Sequence, residues 1–170
     1  AALVLARYIK FAKVEIAALD GLGQTQANLG NLARALELHH EAFERSKQIG
    51  DGEREIDALL SLSRDYLAAN AYVEAMTSLV SVLELAHKTG RKKAIIEAHE
   101  LLATVYEQTG DLANALKHFR DYHRLEKDLF NEEREQKTRQ LSIQFDVERA
   151  RYEAELLDAQ DTRKLAGLEY

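Results

Sequence analysis

Similar residues recur along this chain at an interval of forty. Ala58, Leu62, Tyr66, Asn70, Ala75 and Leu79 return as Ala98, Leu102, Tyr106, Gly110, Ala115 and Phe119. One step earlier stand Ala18, Leu22, Gln26, Gly30, Ala35 and His39, and the loop glycines Gly50 and Gly90 keep the same spacing. Within each copy the apolar residues fall three or four apart, the spacing that places side chains on one helical face. Each set is split by a residue that tolerates left-handed backbone, which ends a helix. The unit is therefore a helical hairpin. A lone hairpin cannot cover its own apolar face, so neighbouring copies must stack.

Composition agrees with long helices. There is no proline, only eight glycines, and nearly half the residues are hydrophobic, so a core can form. The net charge of −6 argues against a general nucleic-acid binder. Without cysteine there are no disulfides or thiolate metal sites. No apolar run approaches the roughly 20 residues that span a bilayer, and no signal peptide is visible. A cytoplasmic location without membrane attachment is the expectation. The chain starts at Ala1 without methionine and ends at LAGLEY, which reads as a piece of a longer protein.

Taken in order, residues 1–9 are expected to close the second helix of an earlier repeat. Three hairpins should follow, at 10–50, 51–90 and 91–130. The first helix of the set runs from about Lys10 to Leu29, and Gly30 stops it. Asn31 and Asp111 stand where a side chain caps the next helix. Asn70 takes the turn position that glycine holds elsewhere, because asparagine accepts the left-handed conformation. After Leu129 the register fails, yet no glycine or proline interrupts the chain to about Lys164. Residues 131–165 read as one helix that first caps the array and then connects onward.

The run Leu102, Ala103, Tyr106, Gly110, Ala115, Phe119 resembles the tetratricopeptide repeat. That repeat has a Leu-Gly pair, a Tyr, a Gly, and then an Ala and an aromatic on its second helix. The pair is literal at Leu22-Gly23 and softened at Leu62-Ser63 and Leu102-Ala103. Gln26 and His39 depart from the aromatic positions in the first copy. The period is longer than the usual 34, as in a variant found in bacterial signalling proteins. The resemblance implies an all-α fold, a right-handed superhelix of antiparallel hairpins with a long C-terminal helix. The stretch LEKDLFNEEREQ and the charged helix after it resemble the connector to an output domain, such as a histidine kinase or a GGDEF diguanylate cyclase. The implied function is protein–protein interaction, as the regulatory or sensory region of a larger bacterial signal-transduction protein. The alternatives are a stand-alone assembly scaffold or a peptide-binding regulator.

The resemblance also implies a partner groove lined by the first helix of each repeat. By register its residues are Asp20, Gln24 and Asn28, then Asp57, Leu60, Arg64 and Leu67, then Glu97, Glu100, Thr104, Glu107 and Gln108. The basic residues that clamp a terminal carboxylate in some relatives are missing. Acidic charge with Leu60 and Leu67 as apolar anchors should prefer a basic or amphipathic protein segment. In the C-terminal helix, Ile143, Val147, Ala150, Ala154 and Leu157 follow 4-3-4-3 spacing, a coiled-coil seam that reads either as an intramolecular cap or as a parallel homodimer contact. Leu141, Phe145, Tyr152 and Leu156 form a stripe beside it.

Little points to chemistry. No two of His39, His40, His87, His99, His118 and His123 are four apart, the helical spacing of a metal pair. GLGQTQANLG resembles a phosphate loop only superficially, because it lacks the GK[ST] ending. No catalytic residue, metal, cofactor or enzymatic activity is expected.

Overall fold

A computed structural model describes the backbone of residues 2–166 and the side chains of residues 8–160. Among the described residues the elements are six helices: α1 (Ala2–Asn28), α2 (Leu32–Gln48), α3 (Gly52–Ala68), α4 (Tyr72–Thr89), α5 (Lys92–Thr109) and α6 (Leu112–Ala166). The chain divides into two compact units, residues 1–126 and residues 127–170.

The first unit holds three hairpins: α1–α2, α3–α4, and α5 with the start of α6. Left-handed backbone occurs at Gly30, Gly50, Asn70, Gly90 and Gly110, so turns fall every twenty residues. At each turn the following N–H reaches back to an orphan helix carbonyl. Asn31, Asp51, Ala71, Arg91 and Asp111 donate to the carbonyls of Gln26, Ser46, Tyr66, Ala86 and Tyr106. This closure satisfies groups that a helix end leaves open. Asn70 takes its turn at φ 59°, as its side chain permits. Asp111 caps α6 by accepting from the Asn114 N–H at 3.1 Å, and Asp51 caps α3 through Arg54 N–H at 3.2 Å. Asn31 does not cap α2. Its amide donates instead to Gln26 Oε1 at 2.9 Å, tying the turn to the helix behind it.

Two expected boundaries are absent. Residues 1–9 were to end a separate helix, but α1 runs unbroken from residue 2, and Ala1 lies outside the described residues. Nothing in the sequence there stops a helix. At the other end α6 continues through residue 130 without a break. In the second unit, residues 131–160 are all exposed. Pairs such as Arg149–Glu153 and Arg151–Glu155, both 2.9 Å, brace that helix along its surface.

The core lies both within each hairpin and where the first helix of the next hairpin seats on the second helix before it. Ala58 shares a cluster with Ile16 and Ala42. Ala98 and Leu102 share the larger cluster with Ala75, Leu79 and Val82. Ala35, Ala42, Ala75 and Ala98 are wholly buried, and small side chains there let helix axes approach closely. Gly23 serves the same end on α1, because a Cβ at that position would lie 2.3 Å from His39 Nε2. The His39 ring is held at both nitrogens and has no room to yield. Gly21 meets nothing within 4 Å.

Two neighbouring substitutions should therefore act in opposite directions. Gly21→Ala removes backbone freedom at an open helical site and should raise stability by about 0.5–1 kcal/mol. Gly23→Ala should lower the melting temperature. Thermal unfolding followed by circular dichroism measures both.

Candidate functional site: the surfaces of the helical array

Helix α3 brings Asp57, Leu60, Arg64 and Leu67 to the array, and α5 brings Glu97, Glu100, Thr104, Glu107 and Gln108. Several of these residues bond to each other across the stacked helices. Arg91, at the start of α5, donates to Asp57 Oδ1 at 2.8 Å and to the Glu53 carbonyl at 2.8 Å. Arg64 pairs with Glu97. These partly exposed pairs are worth about 0–1 kcal/mol each, but they neutralise part of the acidic ridge. The sequence reading missed Arg91, because its register position sits before the helix rather than on its lining face. Leu60 is buried within the core. It offers no surface to a partner, which corrects its assignment as an anchor. Leu67 is half-buried against the same core. Gln24 and Asn28 are exposed, and their side chains bond to each other at 3.2 Å.

Glu100, Thr104 and Glu107 are brought together with residues not assigned to the groove from the sequence. With Ala103, Leu112, Ala115, Leu116, Phe119 and Tyr122 they line an open furrow between α5 and the start of α6. Its floor is apolar and its rim carries two carboxylates. Leu112, Leu116 and Phe119 are exposed here. A signal for this was present, since all three stand at second-helix positions that are packed in the preceding hairpin.

Asp20 belongs to a buried polar cluster instead. His39 is 1 % exposed and Asp65 3 %. His39 Nδ1 lies 2.6 Å from Asp65 Oδ2, and Nε2 lies 3.2 Å from the Asp20 carbonyl. Ser61 donates to Asp20 Oδ1 at 2.9 Å. Burial alone pushes the His39 pKa down, but the hydrogen bond and charge of Asp65 outweigh it, and the net shift is upward. Helices α1, α2 and α3 are thus joined through one imidazole ring.

A second histidine pair has the opposite character. His99 Nδ1 and His118 Nδ1 are 2.9 Å apart, and His118 stacks on Tyr106 with ring centroids 5.4 Å apart. Burial lowers both pKa values. The neighbouring His118 adds to this at His99, and Lys117 adds to it at His118. The two residues are nineteen apart in sequence, and the hairpin brings them together because they lie at similar distances from its turn. Among the described residues no three His, Asp or Glu side chains are grouped to hold a metal. The seam residues Ile143, Val147, Ala150, Ala154 and Leu157 are all exposed, as are Leu141, Phe145, Tyr152 and Leu156.

Comparison with known proteins places this architecture. No family model matches the chain. Tetratricopeptide repeat protein 29 of Trypanosoma brucei brucei is 31 % identical over 119 residues, 70 % of this chain. The chain spans 25 % of that relative's length. The crystal structure of the TPR domain of Arabidopsis FLU superposes with a TM-score of 0.65 at 26 % identity. That match covers 68 % of this chain and 98 % of the other. No described helix is long and apolar enough to cross a membrane.

Two measurements follow from the histidines. In a pH titration by NMR, His39 should titrate above its ordinary value of 6.5, and His99 and His118 below it. The stability from His39 is complete below pH 6.5 and is lost as pH rises through its folded value. The contribution of the His99–His118 pair is complete above pH 6.5 and is lost as pH falls. The second measurement replaces the buried His39–Asp65 pair. His39→Leu or Asp65→Val alone should cost about 3–5 kcal/mol, because each strands a buried partner, while the double variant should recover most of that loss. Urea unfolding reads out all three variants.

Proposed function

We propose that this chain, which has the tetratricopeptide-repeat fold, works by binding other proteins and carries no chemistry of its own. One observation carries the reading. The helix from 131 to 160 exposes two apolar stripes, Ile143, Val147 and Leu157 on one side and Leu141, Phe145, Tyr152 and Leu156 on the other, which water does not favour. Exposed apolar stretches of that extent mark interaction surfaces. The seam Ile143, Val147, Ala150, Ala154 and Leu157 pairs with the same seam of a second chain, as its 3.5-residue period requires.

The acidic ridge of Glu97, Glu100 and Glu107 on α5 then takes a basic or amphipathic protein segment, with Thr104, Gln108 and Leu67 at its side. Asp20, Gln24, Asn28, Asp57 and Arg64 extend that lining along the array. The array is the regulatory region of a larger signal-transduction protein of the bacterial kind. Its long helix is the connector that transmits a change in hairpin stacking to an output domain. Such transmission requires the bound partner to favour one helix arrangement over another. The site of action is the cytoplasm.

The test is the oligomeric state. Sedimentation of the chain should give a dimer, and Val147→Glu with Leu157→Glu should give a folded monomer. A wild-type chain that stays monomeric at high concentration would overturn the pairing.

A further inference from the structure

Two histidine sites in the array answer protons in opposite ways. His39 has an acceptor at each ring nitrogen, the Asp65 carboxylate 2.6 Å from Nδ1 and the Asp20 carbonyl 3.2 Å from Nε2. Only the charged ring carries hydrogen on both nitrogens and satisfies both acceptors. Acid therefore completes the contacts that join α1, α2 and α3.

His99 on α5 and His118 on α6 face each other instead. Their Nδ1 atoms are 2.9 Å apart and their ring centroids 5.1 Å apart, so the rings meet nearly end-on. Two uncharged rings make this bridge with one Nδ1–H donating to the bare Nδ1 of the other. Once both rings are charged, both Nδ1 atoms carry hydrogen. Neither then accepts, and two cations confront each other.

The surroundings do not compensate. Partial burial penalises charge at both rings. His87 on α4 and Arg124 on α6 add to that penalty at His99, and Lys117 on α6 adds to it at His118. Asp121 favours charge at both rings, but its carboxylate already accepts from Arg124 at 2.8 Å. Tyr106 of α5 stacks on one face of His118. The start of α6 is also lightly held. Among residues 112–126 none is buried, whereas α2 and α4 each bury a row of side chains. Segments with few buried contacts open locally before the whole fold does.

We propose that acid opens the third hairpin alone: charging both rings of the His99–His118 bridge parts the start of α6 from α5, while the first two hairpins stay closed. The bridge is a latch that two protons release, so opening is steeper in pH than a single histidine makes it. The device lies within one hairpin and needs no partner.

Hydrogen exchange followed by NMR on the 170-residue chain tests this, at about pH 7.5 and about pH 5.5, either side of the ordinary histidine value. Each rate is compared with the intrinsic exchange rate at the same pH. Protection of the amides of residues 112–126 should fall by about tenfold or more, while that of α2 and α3 holds. His118→Asn keeps a polar partner for His99 and cannot charge, so it should flatten the pH dependence. His99→Leu with His118→Phe removes both titrating rings and keeps the stack on Tyr106. It should leave residues 112–126 equally protected at both pH values. Unchanged protection of these residues in the wild-type chain at the lower pH overturns the proposal. An equal loss across all the helices overturns it too, since that is global acid destabilisation. A local loss that persists in full in both variants assigns it to other groups and overturns it as well.

Discussion

The array is held by the packing of the two helices of each hairpin and by the seat that the first helix of the next hairpin takes on the second helix before it. That contact is made by small residues at fixed offsets, with one larger side chain at its centre. Alanine sheds little conformational entropy on burial and leaves room for the opposing helix to come close. The seat must be nearly void-free, because interiors pack at crystal-like density and gaps forfeit dispersion contacts. Stacking follows from this seat, and the turns every twenty residues only deliver the helices to it.

The two complete junctions solve the same geometric problem with different chemistry. At one register position stand His39 and Leu79, and opposite them stand Asp65 and Val105, all buried. The first junction is a buried His–Asp hydrogen bond and the second is apolar. A buried pair gains little over an apolar contact, since desolvation offsets most of the attraction. It does discriminate between registers. Seating α3 on α4 would bury Asp65 against Leu79 with no donor, and seating α5 on α2 would set Val105 against His39. The Gly23 position fits this account, since the ring that makes the pair fills the space where a Cβ would stand.

Exposed apolar surface is concentrated where seating stops. Among the described residues no helix covers Leu22 on α1 or Phe119 at the start of α6, and the two apolar stripes between Leu141 and Leu157 are exposed as well. A repeat array is held together by contacts between neighbours, so its terminal faces resemble its interior. The same physics that stacks the hairpins makes those faces adhesive.

Much of this was legible in the residues. The forty-residue offset gave three hairpins, the turn positions and the alanine contacts, and Asn70 was read as a turn residue from its side chain alone. The boundaries near residues 9 and 130 were misplaced because register was treated as a break, while α1 and α6 contain no breaker at either point. Leu60 was taken for a groove anchor because register assigns a face but not a depth. Asn31 was expected to cap, and it bonds Gln26 instead. Periodicity is a local property, and local backbone preferences repeat wherever the spacing does; the sequence by itself therefore determined the fold class and the order of the helices. Pairing across the stack depends on side chains twenty to forty residues apart meeting at angstrom separations. Only the tertiary structure decided that His39 faces Asp65, that His99 meets His118, and that Arg91 crosses to Asp57.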